Sequence, residues 1–115
     1  MADIVLLYVT ASSKQEAQSL GQTLVEERLA ACVNIYPEIT SIYWWEGKME
    51  TSSEAVLIVK TRSDLVSQVK ERLLDLHSYS CPCILVVPVA GGHQPFIDWL
   101  LAETRKGHKE SEDAQ

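Results

Sequence analysis

The segment Ser80-Cys81-Pro82-Cys83 places two thiols one residue apart, just after His77 and Tyr79. Thiolates suit soft ions such as Cu(I), so Cys81, Cys83 and His77 form one candidate metal-ligating set. The third cysteine, Cys32, is a further candidate, but it sits in an apolar run where cysteine commonly serves as a small core residue. The same packing role competes at Cys81 and Cys83, because Pro82 interrupts the alternation that would put both thiols on one side of a strand. A closed zinc site does not follow from this sequence. It has no Cys-x-x-Cys pair and no two histidines on one helix face, so four ligands cannot be nominated.

A second group, Tyr43, Trp45, Glu54, Lys60 and Tyr79, mixes aromatic and charged side chains on apolar stretches. Glu54 and Lys60 either form a structural ion pair or point into a cleft, and charge on so apolar a surface needs one reason or the other. With His77 they could also do acid–base work. No motif assigns a reaction, however. The chain lacks a Gly-x-Ser-x-Gly elbow, and Gly91-Gly92 has neither a Walker lysine nor the spaced glycines of a dinucleotide loop, so it reads as a turn. The expectation is a binding protein rather than an enzyme, with Tyr43, Trp45, Glu54, Lys60 and Tyr79 forming the cleft.

Periodicity gives the elements that must position these residues. Ile4 to Thr10 is nearly continuous in apolar and β-branched residues and predicts a strand covered on both faces. Ser13 to Glu16 fits a capping box, and Ala17, Leu20, Leu24 and Leu29 recur at helical spacing, so a helix is expected over Ser13 to Leu29. Gly21 inside it points to close packing. Ala31 to Ile35 predicts a second strand, Pro37 a bend or an edge, and Ile39 to Glu46 a resumption. Glu46-Gly47-Lys48 supplies a turn, and Glu54 to Thr61 returns as the partner strand. Ser41, Tyr43 and Trp45 share one face of this hairpin and Ile42 and Trp44 the other, while Glu54, Val56, Ile58 and Lys60 share a face of the return arm. Both faces carry large apolar groups. One should meet the chain's own helices and part of the other a neighbouring subunit.

Ser63 is expected to cap the next helix, with Val66, Val69, Leu73 and Leu76 as its buried stripe. Cys83 to Val89 predicts the fourth strand, with Pro88 signalling an edge, and Pro95 opens a last helix to about Glu103. Strand, helix, strand, strand, helix, strand predicts an α+β, ferredoxin-like βαββαβ fold with an antiparallel sheet and an added C-terminal helix.

The chain has 115 residues, enough for one domain over residues 1–104, with a polar, flexible tail over 105–115. Ten Lys and Arg against sixteen Asp and Glu leave a net charge of −6. That balance opposes a nucleic-acid surface or an anionic membrane and favours attraction of cations. No run approaches a membrane span, and the first apolar stretch is too short for a signal core. Three cysteines do not make a disulfide scaffold, so free thiols in a reducing cytoplasm are expected.

Several patterns together are similar to the CutA family of divalent-cation tolerance proteins. They are Leu29 to Ile35 with Pro37; Ser41, Tyr43, Trp45 and Gly47; Glu54, Leu57, Ile58, Lys60 and Thr61; His77, Tyr79, Pro82, Ile84 and Pro88; and the late Trp99. The resemblance covers roughly Ile4 to Leu101. It implies a ferredoxin-like subunit in a tight homotrimer whose long hairpins reach neighbouring subunits. It implies a role in tolerance to copper and other divalent cations, with copper or a similar ion as the bound cofactor and no established reaction. The trimer also resembles PII-like signalling proteins, which take small ligands between subunits. That gives an alternative role in which an anion or metabolite binds with Lys60 supplying positive charge. By motif position the resemblance implies Tyr43, Trp45, Glu54, Lys60, His77 and Tyr79 as cleft residues. Cys32 falls at the family's recurrent cysteine. Cys81 and Cys83 flank the shared Pro82 but lie outside the shared pattern, and packing is their expected role.

Overall fold

A computed structural model describes residues 3–106. It begins with β1 (Ile4–Ala11), whose odd-numbered residues Val5, Leu7, Val9 and Ala11 are buried, as a strand beneath helices requires. Helix α1 (Lys14–Glu26) follows, with Ser13 as its N-cap: the Ser13 hydroxyl accepts the Glu16 backbone N–H at 3.1 Å. The reciprocal half of the expected capping box is redirected, because the Glu16 carboxylate takes the backbone N–H and the hydroxyl of Ser12, both at 2.8 Å.

Helix α1 ends three residues before the expected Leu29. Arg28 turns into the left-handed region at φ 61°. The Leu29 N–H returns to the Leu24 carbonyl at 2.9 Å and the Arg28 N–H to that of Val25 at 3.0 Å. This is a Schellman closure, usually built on glycine. Arg28 is held in it by an ion pair with Glu103 at 2.8 Å, and its carbonyl accepts the Arg105 N–H at 2.9 Å.

β2 (Cys32–Trp45) and β3 (Lys48–Arg62) form a long antiparallel hairpin. The turn at Glu46 and Gly47 has φ of 50° and 81°, the doubly left-handed geometry that matches strand twist. Pro37 does not break β2. The register steps from Tyr36 opposite Val56 to Ile39 opposite Glu54, so β2 holds one extra residue there as a β-bulge. β3 also starts six residues before the expected Glu54. Lys48 to Ser53 shows no apolar alternation, but it pairs with Thr40 to Trp45 all the same.

A short 3₁₀ turn (Ser63–Leu65) leads into α2 (Val66–Leu76). Ser63 is not the expected cap; its hydroxyl donates to the Asp3 carbonyl at 3.3 Å. Leu76 also leaves the expected buried stripe and is 39% exposed, since α2 stops there. β4 (Ile84–Pro88) and α3 (Gln94–Glu103) complete the chain. The sheet order is β2-β3-β1-β4 with every neighbouring pair antiparallel, the ferredoxin-like arrangement with an added helix. Pro88 is the last residue of an edge strand, where a missing N–H costs least.

The core lies between the sheet and α1 with α2. Leu7, Leu57 and Val59 from the strands meet Leu20, Leu24, Val69 and Leu73 from the helices. Gly21 lets α1 sit close: a Cβ there would stand 2.8 Å from Val33 Cγ2 and 3.1 Å from Leu57 Cδ1. The hairpin runs on past this core as an arm, and the molecule is 49 Å in its longest dimension. On the arm Ile42, Trp44, Met49 and Trp45 are all more than half exposed. Of the expected tail, Arg105 is tied by its N–H to Arg28 and by its guanidinium to Gln68 at 2.9 Å. The tail from residue 107 onward, with His108, lies outside the described residues.

Candidate functional site

The bulge at Pro37 decides what the arm presents. Before it, even-numbered residues of β2 stand opposite even-numbered residues of β3, as in Cys32 opposite Lys60. After it, odd-numbered residues of β2 take that face, as in Ile39 opposite Glu54 and Tyr43 opposite Glu50. A one-residue slip changes the face of every residue beyond it. Tyr43 and Trp45 are thereby turned to the side of Glu54 and Ser52.

There, at the root of the arm, an open groove of ≈ 470 Å³ is formed. The arm contributes Tyr43, Trp45, Ser52, Ser53 and Glu54, and the end of β1 contributes Thr10 and Ser12. The connection from α2 to β4 contributes Tyr79, Ser80, Cys81 and Cys83. Among the described residues, Glu54 is the one carboxylate lining it, and no Lys, Arg or His does so. The rings are held from behind. The Tyr79 hydroxyl donates to Glu54 Oε2 at 2.8 Å, and the Tyr43 and Ser52 hydroxyls are 3.1 Å apart. Burial, followed by the Glu54 carboxylate, pushes the Tyr79 phenol well above its ordinary pKa, so it stays a proton donor.

His77 is not a lining residue. Its Nδ1 lies 3.0 Å from the Tyr79 backbone N–H and so accepts, which leaves Nε2 to donate to the Thr10 carbonyl at 2.7 Å. Both ring nitrogens are engaged, and the side chain is fully buried. A metal would have to displace one of those bonds. His77 instead positions Tyr79, whose ring lies 4.8 Å from its own between centroids. Glu16 completes the anchor by accepting the Ser78 N–H at 2.8 Å. Burial raises the pKa of the Glu16 carboxyl, but the bonds from Ser12 and Ser78 outweigh it and hold it down at about 2.

Lys60 is also placed elsewhere. It lies six residues along β3 from Glu54, roughly 20 Å at ~3.3 Å per residue. Its ammonium sits 5.6 Å from the centre of the Phe96 ring. Glu54, Lys60 and His77 therefore do not meet as an acid–base group within this chain. Cys32 stands opposite Lys60 in the sheet, away from the other two cysteines. Cys81 is exposed and Cys83 half-buried, and both face the groove, so Cys81 does not fill the packing role expected for it. Burial, then the nearby Glu54 charge, pushes the Cys83 thiol up, so a cation bound there must displace its proton. Among the described residues, no three His, Cys, Asp or Glu side chains converge as a ligand group. Sequence reasoning missed the hydroxyl wall of Thr10, Ser12, Ser52, Ser53 and Ser80. Only strand register could have found Ser52 and Ser53.

Fold and groove define a class: a ferredoxin-like α+β domain with a projecting two-stranded arm and a ligand-sized cleft at its root. The chain belongs to the CutA1 family of divalent ion tolerance proteins, whose pattern it matches over residues 5–103. The divalent-cation tolerance protein CutA of Archaeoglobus fulgidus is 46% identical over 94 residues, covering 82% of this chain and 91% of that protein. Its counterpart in Thermus thermophilus is 43% identical over 104 residues, covering 90% and 99%. The chain spans 58% of the longer rice protein CutA 1, chloroplastic, with 40% identity over 102 residues. The crystal structure of CutA1 from Oryza sativa superposes with a TM-score of 0.89 at 39% identity, covering 92% of this chain and 97% of that one.

Proposed function

We propose that this protein serves divalent-cation tolerance as a cytoplasmic homotrimer that binds a soft cation, copper above all, without turnover. One observation carries the metal reading: Cys81 and Cys83 open onto the same groove as Glu54, with no cationic side chain among the described lining residues. Two thiols suit a soft ion of low coordination number such as Cu(I), whereas a hard divalent ion asks for a larger set of oxygen ligands. Glu54 adds negative charge beside them. The trimer is supported by the arm, where Ile42, Trp44 and Met49 are 66, 75 and 67% exposed. Apolar surface of that extent calls for a partner, and a closed ring of like subunits would cover it and the edges of β2 and β4.

A calorimetric copper titration of the reduced protein tests the metal reading. Binding tighter than ~1 mM that is lost in Cys81→Ser with Cys83→Ser is the expected result, and binding unchanged in that variant sinks it. Sedimentation at micromolar concentration tests the assembly, and a monomer there would refute it. The alternative, an anion or metabolite in an intersubunit cleft, needs positive charge that the described lining residues of this groove do not supply. It would be supported only by an anion whose stabilisation is lost in Lys60→Ala.

A further inference from the structure

The arm side of the groove differs in chemistry from its thiol end. Tyr43 and Trp45 are large aromatic residues, 40 and 51% exposed, on a strand whose bulge turns them toward Glu54. Bonds from Tyr43 to Ser52 and from Tyr79 to Glu54 fix the rings before any ligand arrives. Glu54 Oε2 is occupied by Tyr79, while the second carboxylate oxygen takes no hydrogen bond from the described residues. The cavity, ≈ 470 Å³, falls in the range of small-molecule sites. Aromatic faces around one carboxylate, with no cationic side chain among the described lining residues, attract positive charge and repel anions. A hard metal ion would need a convergent ligand set, which the described residues do not provide. An alkylammonium ion needs none, because the ring faces and one charge suffice.

We propose that Tyr43, Trp45, Tyr79 and Glu54 form a binding site for a small alkylammonium cation. The site needs no metal at the cysteines. It places the charged centre near the open oxygen of Glu54, with its methyl or methylene groups against the rings of Tyr43 and Trp45. The serine and threonine hydroxyls around it accept N–H bonds from a primary amine and are indifferent to a quaternary one.

Tetramethylammonium chloride, titrated into the full-length protein against sodium chloride at matched ionic strength, is the test. Aromatic proton shifts or calorimetry should show saturable binding with Kd on the order of 1 mM. Glu54→Gln should weaken it at least ~10-fold, and Tyr43→Leu or Trp45→Leu several-fold. Glu71→Gln, an equal change of charge on α2 outside the groove, should leave it unchanged. The proposal is overturned by absence of saturation up to ~50 mM, by equal binding of uncharged tert-butyl alcohol, or by an unaltered Kd in Glu54→Gln. If Glu54→Gln does not fold, the two exposed aromatic positions decide. Copper titrations of Tyr43→Leu and Trp45→Leu should match the parent, so failure of the ammonium site and failure of the thiol site are separately visible.

Discussion

Glu16 should make the stability of this protein fall in acid over a defined range. Its carboxylate joins the end of β1 to the loop after α2 by accepting from Ser12 and Ser78. Those bonds, opposed by burial, bring its pKa from 4.5 to about 2. A carboxyl whose pKa is depressed on folding stabilises fully above its unfolded value and loses that contribution as pH falls through the folded one. The window is therefore pH 4.5 down to about 2. The full linkage would be ~3 kcal/mol at 1.36 kcal/mol per tenfold change in proton affinity. The group borders solvent, and screening reduces this to about 1–2 kcal/mol. Glu16→Gln keeps one acceptor oxygen and removes the charge. Urea unfolding at fixed protein concentration should show the variant weaker by about 1–2 kcal/mol at pH 7 and nearly equal to the parent at pH 2. A deficit that persists undiminished at pH 2 would refute the assignment, because a packing defect does not titrate.

Three further outcomes follow from single positions. Gly21→Ala gains about 1 kcal/mol of helix propensity but forces a methyl against Val33 and Leu57, where overpacking costs ~1–3 kcal/mol, so a net loss on thermal unfolding is expected. Thr61→Val removes a buried hydroxyl that donates to the Leu29 carbonyl at 2.6 Å; the orphaned carbonyl should cost about 1–3 kcal/mol in urea unfolding, although the side-chain shape is kept. Arg28→Gly relieves a left-handed residue at φ 61° and gives up an exposed ion pair and an exposed 3.3 Å bond to the Glu103 carbonyl, so it should raise the melting temperature by the equivalent of ~0.5 kcal/mol.

Most of the fold was legible because its elements advertise themselves locally. Ile4 to Thr10 could only be a buried strand, and Ala17, Leu20 and Leu24 fall on one helical stripe facing it. What was not legible depends on partners distant in sequence. Lys48 to Ser53 is polar and becomes strand only because Thr40 to Trp45 lies beside it. Helix α1 was overrun at its C-terminus because the closing residue is Arg28 rather than glycine, and the contacts that hold it, Glu103 and Arg105, come from the other end of the chain. At the site, Tyr43, Trp45, Glu54 and Tyr79 do come together. His77 and Lys60 do not join them. His77 is consumed by two hydrogen bonds to backbone atoms, which composition cannot foretell. Lys60 shares a face with Glu54, but a shared face fixes direction and not distance along a strand this long.

The position of the groove then has a physical cause. In an uninterrupted β2, the register Cys32 to Lys60 would carry even-numbered residues onto the Glu54 face along its whole length, so Ile42 and Trp44 would look into the groove and Tyr43 and Trp45 away from it. The extra residue at Pro37 reverses that choice for the outer half of the arm alone. Proline suits the bulge because it has no N–H to leave unpaired and because β2 is an edge strand. The inner half keeps Val33 and Ile35 packed against the core, while the outer half gives Tyr43 and Trp45 to the groove and Ile42 and Trp44 to the opposite face. Core and site make opposite demands on one strand, and a single unpaired residue satisfies both.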